Sequence, residues 1–532
     1  MVTSLRQSTG EMKATTGTAA LAGALSGFVA STSAFQIGQA VQITSGTVIG
    51  HPATDAPQVG EYLGIPYAQP PLGNLRFAPP QPYRSDRTIS ASSHGHNCPS
   101  RSAAVPSGAL PPTVYNLLAD LGQVGDQQNE DCLYINVWNK PQSGAVNKPV
   151  LVWIHGGGFN LGGTNGSAYG GQFIVDTEDV VLVNFNYRLN IFGFPGAYDM
   201  DKNVGLLDQR LAIEWVRDNI AAFGGDPKRI TLFGQSAGGG SVEYFNYAWT
   251  QDPIIAGSIA LSGSATAYGN LLPATANSRW ISVASRAGCT QKTPDAVLAC
   301  MRSVSMETLI TAEFQSRNGT NALQGNFGPT IDDKVVFTDY NTLAQKNLFI
   351  QRPTIYGNTI YEAGFFALLL AGLGQTRTPE YWTQFDARGF TCPATTAAIY
   401  RSNGANLPTW RYVYHPVFPN IHLPTDNNLA WHGAELLPLF GTDEIITKGP
   451  STAQERAMGK YLRGAFAAFA ADPVAGLTKY GWKRYDNASE TVVQLGFDDP
   501  SSANFCPGPT YNTTVAYYGG CAPFPDPGQP NK

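Results

Sequence analysis

Ser236 stands in Gly234-Gln235-Ser236-Ala237-Gly238, directly after the apolar run Ile230–Phe233 and directly before a helical pattern. A serine hydroxyl is a weak nucleophile. To attack a carbonyl carbon it needs a backbone that thrusts it forward, a base that takes its proton, and N–H donors where negative charge develops. Small residues two positions to either side meet the first need, because strand and helix can then approach closely around a strained serine. The helix that follows turns free N–H groups toward developing negative charge. An ordinary Gly-rich turn would read the same over five residues, so the pentapeptide alone does not decide.

A second stretch bears on the N–H donors. WIHGGGFNLGG (153–163) follows an apolar strand pattern, and its glycines let backbone amides reach a substrate oxygen. The amides of Gly157 and Gly158 are expected to join that of Ala237, the residue after the serine. A Gly run also suits phosphate, but no Lys-Ser/Thr follows this one, so a phosphate loop is not expected. His155 is expected to anchor the loop.

These residues need elements to hold them. Short apolar runs at 149–155, 179–188, 229–234, 257–263, 352–358 and 410–416 read as strands that do not alternate, which fits a parallel sheet buried on both faces. Residues 205–224 read as an amphipathic helix stopped by Gly224. Strands alternating with helices give an α/β fold with a large, mostly parallel central sheet flanked by helices. No internal repeat or Pro/Ser-rich linker interrupts residues 40–500, so one catalytic domain over 35–505 is expected, with 506–532 as an irregular tail.

Composition narrows the function. Of 532 residues 14% are charged, net charge is -5, and no Lys/Arg block occurs, so nucleic acid is not expected as a partner. Residues 1–34 read as a secretory signal ending at Thr32-Ser33-Ala34, and no later segment is long and apolar enough to span a membrane. In a secreted chain the seven cysteines suggest disulfides Cys98–Cys132, Cys289–Cys300 and Cys506–Cys521, which leaves Cys392 over. Asn165, Asn318, Asn487 and Asn512 each open an N-x-S/T sequon.

Three longer stretches carry a resemblance. YLGIPYAQPPLGNLRF (62–77), EDCLYINVW (130–138) and the region around NVGLLDQRLAIEWVRDNIAAFGGDPKRITLFGQSAGG (203–239) are similar to signatures of the type-B carboxylesterase and lipase family, which includes cholinesterases and fungal lipases. The resemblance implies an α/β-hydrolase fold and the chain order serine, acid, histidine. His432, in WHGAELLPLFG (431–441), resembles the family's histidine segment. Glu362, in PTIYGNTIYEAGFF (353–366), resembles its acid segment. Asp332 and Asp333 are rivals that resemble a structural turn, Glu435 a buried support, and His415 and His422 structural or surface groups. The implied reaction is hydrolysis of a small-molecule or lipid ester through an acyl-enzyme on Ser236, with no metal and no organic cofactor.

The same resemblance implies pairs Arg76–Glu130 and Arg188–Asp208 beneath the site, and a lid or flap loop over 98–132. Within that loop Val114, Leu117, Leu118 and Leu121 fall on one helical face. Packed as core, this face implies an esterase for short to medium acyl chains. As a mobile cover it implies a lipase or sterol esterase. A non-catalytic binding protein on the same fold is the third reading, and the presence of nucleophile, oxyanion loop, acid and base argues against it. One departure stands out: the family often has Glu before the nucleophile, and here Gln235 takes that place. With no tryptophan between Cys98 and Cys132, Gln235 argues against a cholinesterase.

Overall fold

Successive side chains of Lys148–Ile154 point to opposite sides, and both sides are apolar. Val150, Val152 and Ile154 join one buried cluster, Leu151 and Trp153 another. The same split recurs at Val181, Val183 and Phe185 against Leu182, and at Ile230 and Leu232 against Phe233. A strand that buries both faces has to lie in the middle of a three-layer molecule. Each buried Val, Leu, Ile or Phe contributes roughly 1.5–3 kcal/mol relative to exposure.

The computed structural model describes residues 36–100, 112–120, 125, 127–140, 147–267, 269–316, 326–424, 428–502, 504–514 and 521. The strands in chain order are β1 (Ala40–Ile43), β2 (Gly46–Ile49), β3 (His51–Pro52), β4 (Gly60–Pro66), β5 (Thr88–Ser90), β6 (Tyr134–Asn139), β7 (Lys148–Ile154), β8 (Val181–Phe185), β9 (Gly225–Gln235), β10 (Gly257–Leu261), β11 (Thr354–Thr359), β12 (Thr409–Tyr414), β13 (Val492–Leu495) and β14 (Pro509–Asn512). β1, β2 and β5 form a small separate sheet. The others form one 11-stranded sheet in the order β14-β13-β12-β11-β10-β9-β7-β8-β6-β4-β3. From β13 through to β8 neighbours are parallel; β14 at one edge and β6, β4 and β3 at the other run antiparallel.

Helices cover both faces. Val204–Asn219 packs Ile213, Trp215 and Val216 into the first cluster, and Ala453–Ala471 packs Met458, Leu462, Phe466 and Phe469 into the second. The second helix starts on a capping box in which Thr452 and Glu455 satisfy each other's backbone amides. No helix among the described residues is long and apolar enough to cross a membrane.

Two expectations are corrected. Cys98–Cys132 and Cys289–Cys300 are bonded, but Cys521 bonds Cys392, 129 residues earlier, and Cys506 is left exposed with a free thiol. Proximity in sequence favoured Cys506; the fold instead lays Cys521 beside Cys392. Nor is the stretch after residue 505 wholly irregular, because Pro509–Asn512 pairs with β13 as the edge strand β14. Proline is tolerated there, where one side of the strand needs no partner. The expected signal segment 1–34, the sequon at Asn318, Leu121 and most of the residues after 514 lie outside the described residues.

Candidate active site

Ser236 sits at the carboxyl end of β9, in the middle of the sheet, where the chain turns straight into helix Ala237–Ala248. Its backbone has φ 58° and ψ -123°, a region that costs a residue with a side chain about 1–3 kcal/mol. Neighbouring backbone holds it there. Ser236 N–H donates to Leu261 O at 2.8 Å, and Ser236 O accepts from Gly240 N–H at 2.9 Å. The flanking glycines follow from the crossing of chains: a Cβ at Gly238 would run into the Ile154 carbonyl oxygen at the end of β7.

The loop after β7 is locked from within. Gly157 has φ +106°, and a Cβ there would collide with Leu161 O. Gly157 O accepts from the amides of Asn160 and Leu161, both at 3.1 Å, and Gly158 O accepts from Asn160 Nδ2 at 2.7 Å. With both carbonyls bound inward, the peptide planes of the loop are fixed. His155 lies beneath it, stacked on Tyr187 at 4.4 Å, its Nδ1 2.8 Å from Gly156 O. Burial pushes His155 down to about 4, so it is neutral at ordinary pH and serves as an anchor.

Glu362 and His432 come from segments 70 residues apart and meet at this end of the sheet. His432 Nδ1 lies 2.5 Å from Glu362 Oε2. The other carboxylate oxygen, Oε1, accepts from Ser262 Oγ at 2.7 Å and Thr359 N–H at 2.8 Å. Glu362 is thereby fixed as an acceptor, and the imidazole is held with its proton on Nδ1. Nε2 faces the residue before the serine, with Gln235 Nε2 at 3.1 Å. An imidazole oriented by a buried carboxylate, with its other nitrogen turned to the serine-bearing turn, is the geometry of a general base.

A model of the carboxylesterase family matches residues 38–378. The chain belongs to the carboxylesterase family. It is 36% identical over 491 residues to secreted lipase 5 of Gibberella zeae, spanning 86% of this chain and 90% of that protein. It is also 36% identical over 446 residues to a chlorogenic acid esterase of Aspergillus niger, spanning 82% and 84% of the two chains. A mouse cholinesterase matches over 54% of this chain at 38% identity. The protein is a carboxylic ester hydrolase with the α/β-hydrolase fold.

The other residues singled out in this carboxylesterase take structural positions. Asp332 accepts three backbone amides from Lys334, Val335 and Val336 and binds Asn203, forming a turn. Asp333 binds Thr338. His415 Nε2 lies 2.6 Å from Gln494 Oε1, and His422 ends a short 3-10 turn. Arg188 makes a two-pronged pair with Asp208 at 2.7 and 2.8 Å, both buried. Arg76 grips Glu130 and the carbonyls of Met301 and Val304. Leu117 and Leu118, on helix Pro112–Leu118, are buried in the second cluster.

Two carboxyls lie near Glu362 in the esterase, and the sequence reading missed one of them. Glu435 was noted as a support and is 1% exposed; Asp386 was not noted at all. Burial first, and then the Glu362 charge, push both up to about 8. Both therefore hold their protons at neutral pH. For Glu435 the linkage has a definite sign. Its folded value lies above its unfolded one, so folding binds a proton and stability falls as pH rises toward 8. Buried His94 and His155, pushed down to about 4, act oppositely, but only below about 6.5. Between pH 6.5 and 8 the carboxyl effect stands alone, and Glu435 contributes a slope of up to about 1.4 kcal/mol per pH unit. Melting temperature is expected to fall across that window, and to fall less in Glu435→Gln. A flat or rising profile in the wild type would contradict the assignment.

Proposed function

We propose that this carboxylesterase hydrolyses short- to medium-chain carboxylic esters through an acyl-enzyme on Ser236. His432 takes the serine proton as Oγ attacks the ester carbonyl. Glu362 holds the imidazole and stabilises its charged form. The amides of Gly157, Gly158 and Ala237 receive the oxyanion. The protonated His432 then gives its proton to the leaving alkoxide, and water repeats the route to release the acid. The observation that carries this reading is the Glu362–His432 contact with Nε2 turned toward the Ser236 turn. No step calls for a metal or a cofactor.

The acyl preference rests on Leu117 and Leu118, whose burial in the second cluster supports a packed flap. A neutral Gln235 beside the base gives no support to cationic esters. Lipase chemistry is the second reading, favoured by the Gibberella zeae relative, whose name is that of a lipase. Rates on nitrophenyl esters of increasing chain length, with chlorogenic acid and a triglyceride emulsion alongside, separate the two. The expected result is fastest turnover on dissolved acetate to octanoate esters. A long-chain emulsion hydrolysed much faster than these would replace the esterase reading with the lipase one. Secretion is part of the proposal: three disulfides suit an oxidising compartment, and Asn487 is an exposed sequon suited to a glycan.

A further inference from the structure

The segment Pro379–Ile399 runs as helix Pro379–Asp386, a π-helical turn Ala387–Thr391 and helix Cys392–Ile399. It leans on helix Ala363–Gly372, which begins directly after Glu362. The apolar contact between them is small, with Ala363, Leu370 and Trp382 as its buried residues. A polar tether joins them as well: Asp386 Oδ1 accepts the Ala363 N–H at 2.6 Å. Both the segment and the helix supply rings around the base. Phe390 and Phe366 flank the His432 imidazole at 4.8 and 4.9 Å, and Phe385 touches both phenylalanines, at 5.6 and 4.9 Å.

We propose that Asp386 is a positioning residue for ester hydrolysis: by gripping the amide that follows Glu362, it fixes the acid and the phenylalanine wall of His432 as one unit. The inference rests on the roles proposed above for Glu362 and His432. Its physical basis is a conflict at the helix start. Glu362 is the N-cap of helix Ala363–Gly372, the position whose side chain ordinarily satisfies the first free amides. Here that carboxylate is turned to His432, Ser262 and Thr359 instead and makes no cap bond. Asp386, from the next helix, instead satisfies the first amide of this one, that of Ala363. Because it is protonated at neutral pH, it accepts the bond without setting a second negative charge beside Glu362.

The tether has a counterpart. Directly behind the π-helical turn, Cys392 is bonded to Cys521. The turn that carries Phe390 is thus pinned at Asp386 on one side and at Cys392 on the other. π-Turns are wider than α-turns and are frequent at functional sites.

The test is kcat and KM on nitrophenyl acetate, per active site titrated with a phosphonate, for wild type, Asp386→Ala, Asp386→Asn and Asp386→Glu. A displaced acid or base costs up to about a hundredfold in rate. Asp386→Ala is expected to lose about 10- to 100-fold in kcat with KM within about threefold. Asp386→Asn, whose amide oxygen accepts the same N–H, should stay within about threefold of wild type. Asp386→Glu moves the acceptor by a methylene and should lose about tenfold, which keeps the test open if the alanine variant does not fold. Wild-type kcat in either the alanine or the glutamate variant overturns the inference, as does an asparagine variant as impaired as alanine. A wild type without ester hydrolysis would overturn the proposed function and this inference with it.

Discussion

Replacing Ser236 by alanine is expected to lower kcat on nitrophenyl esters by about ten-thousandfold or more, with KM and melting temperature little changed. The size follows from what the hydroxyl does. Removing a nucleophile that acts as a unit with its base leaves only the contribution of oxyanion donors and binding. Stability should hold, because the side chain is small, stands at a strained turn, and the bonds that fix that turn are backbone ones: Ser236 N to Leu261 O and Gly240 N to Ser236 O. Alanine carries a Cβ of its own, so the backbone strain at φ 58° is unchanged. The measurement is steady-state turnover with purified variant, alongside a phosphonate label that should attach to the wild type alone. Retention of most activity in the variant would place the chemistry elsewhere.

The second large effect is expected at Glu362. Glu362→Gln preserves size and one carbonyl oxygen, which can still accept from Ser262 and the Thr359 amide. What changes is the group facing His432. An amide NH2 there is a donor, and it would meet Nδ1 where Nδ1–H now donates. The imidazole must then carry its proton on Nε2, where it cannot accept one from serine, or turn away. Loss of an orienting carboxylate by this route costs about 10³- to 10⁴-fold in kcat. Folding should be nearly unaffected, since the substitution removes a buried charge and keeps its shape. The check is kcat and the melting curve measured on one preparation. An active glutamine variant would mean that another group orients His432.

Much of this arrangement was legible in the sequence. The nucleophile turn and the Gly loop are local: each lies at the end of an apolar strand, and their residue types answer to close approaches within a few residues. The strands read at 149–155 and 229–234 lie within or across β7 and β9, because runs buried on both faces carry a strong signal. Glu362 and His432 were reached only through the resemblance, since nothing local distinguishes a catalytic carboxylate from Asp332 or Asp333. What was missed depends on long-range contact. Asp386 acts across 23 residues on an amide that any residue would offer. The Cys392–Cys521 bond spans most of the last third of the chain, and spacing alone favours the nearer Cys506. β14 hides in Pro- and Gly-rich sequence because an edge strand needs only one paired side.

That long disulfide also bears on how the protein is made. A ribosome adds about 5–20 residues per second, so the 129 residues between Cys392 and Cys521 take roughly 6 to 26 seconds to synthesise. For that interval Cys392 is a thiol whose partner does not yet exist. Cys506 emerges shortly before Cys521 and is the first late cysteine that Cys392 can meet. Oxidation that outruns synthesis would therefore trap Cys392 with Cys506. A cell producing this enzyme gains from isomerase capacity rather than from a stronger oxidant, and removing the Cys506 thiol removes the competitor.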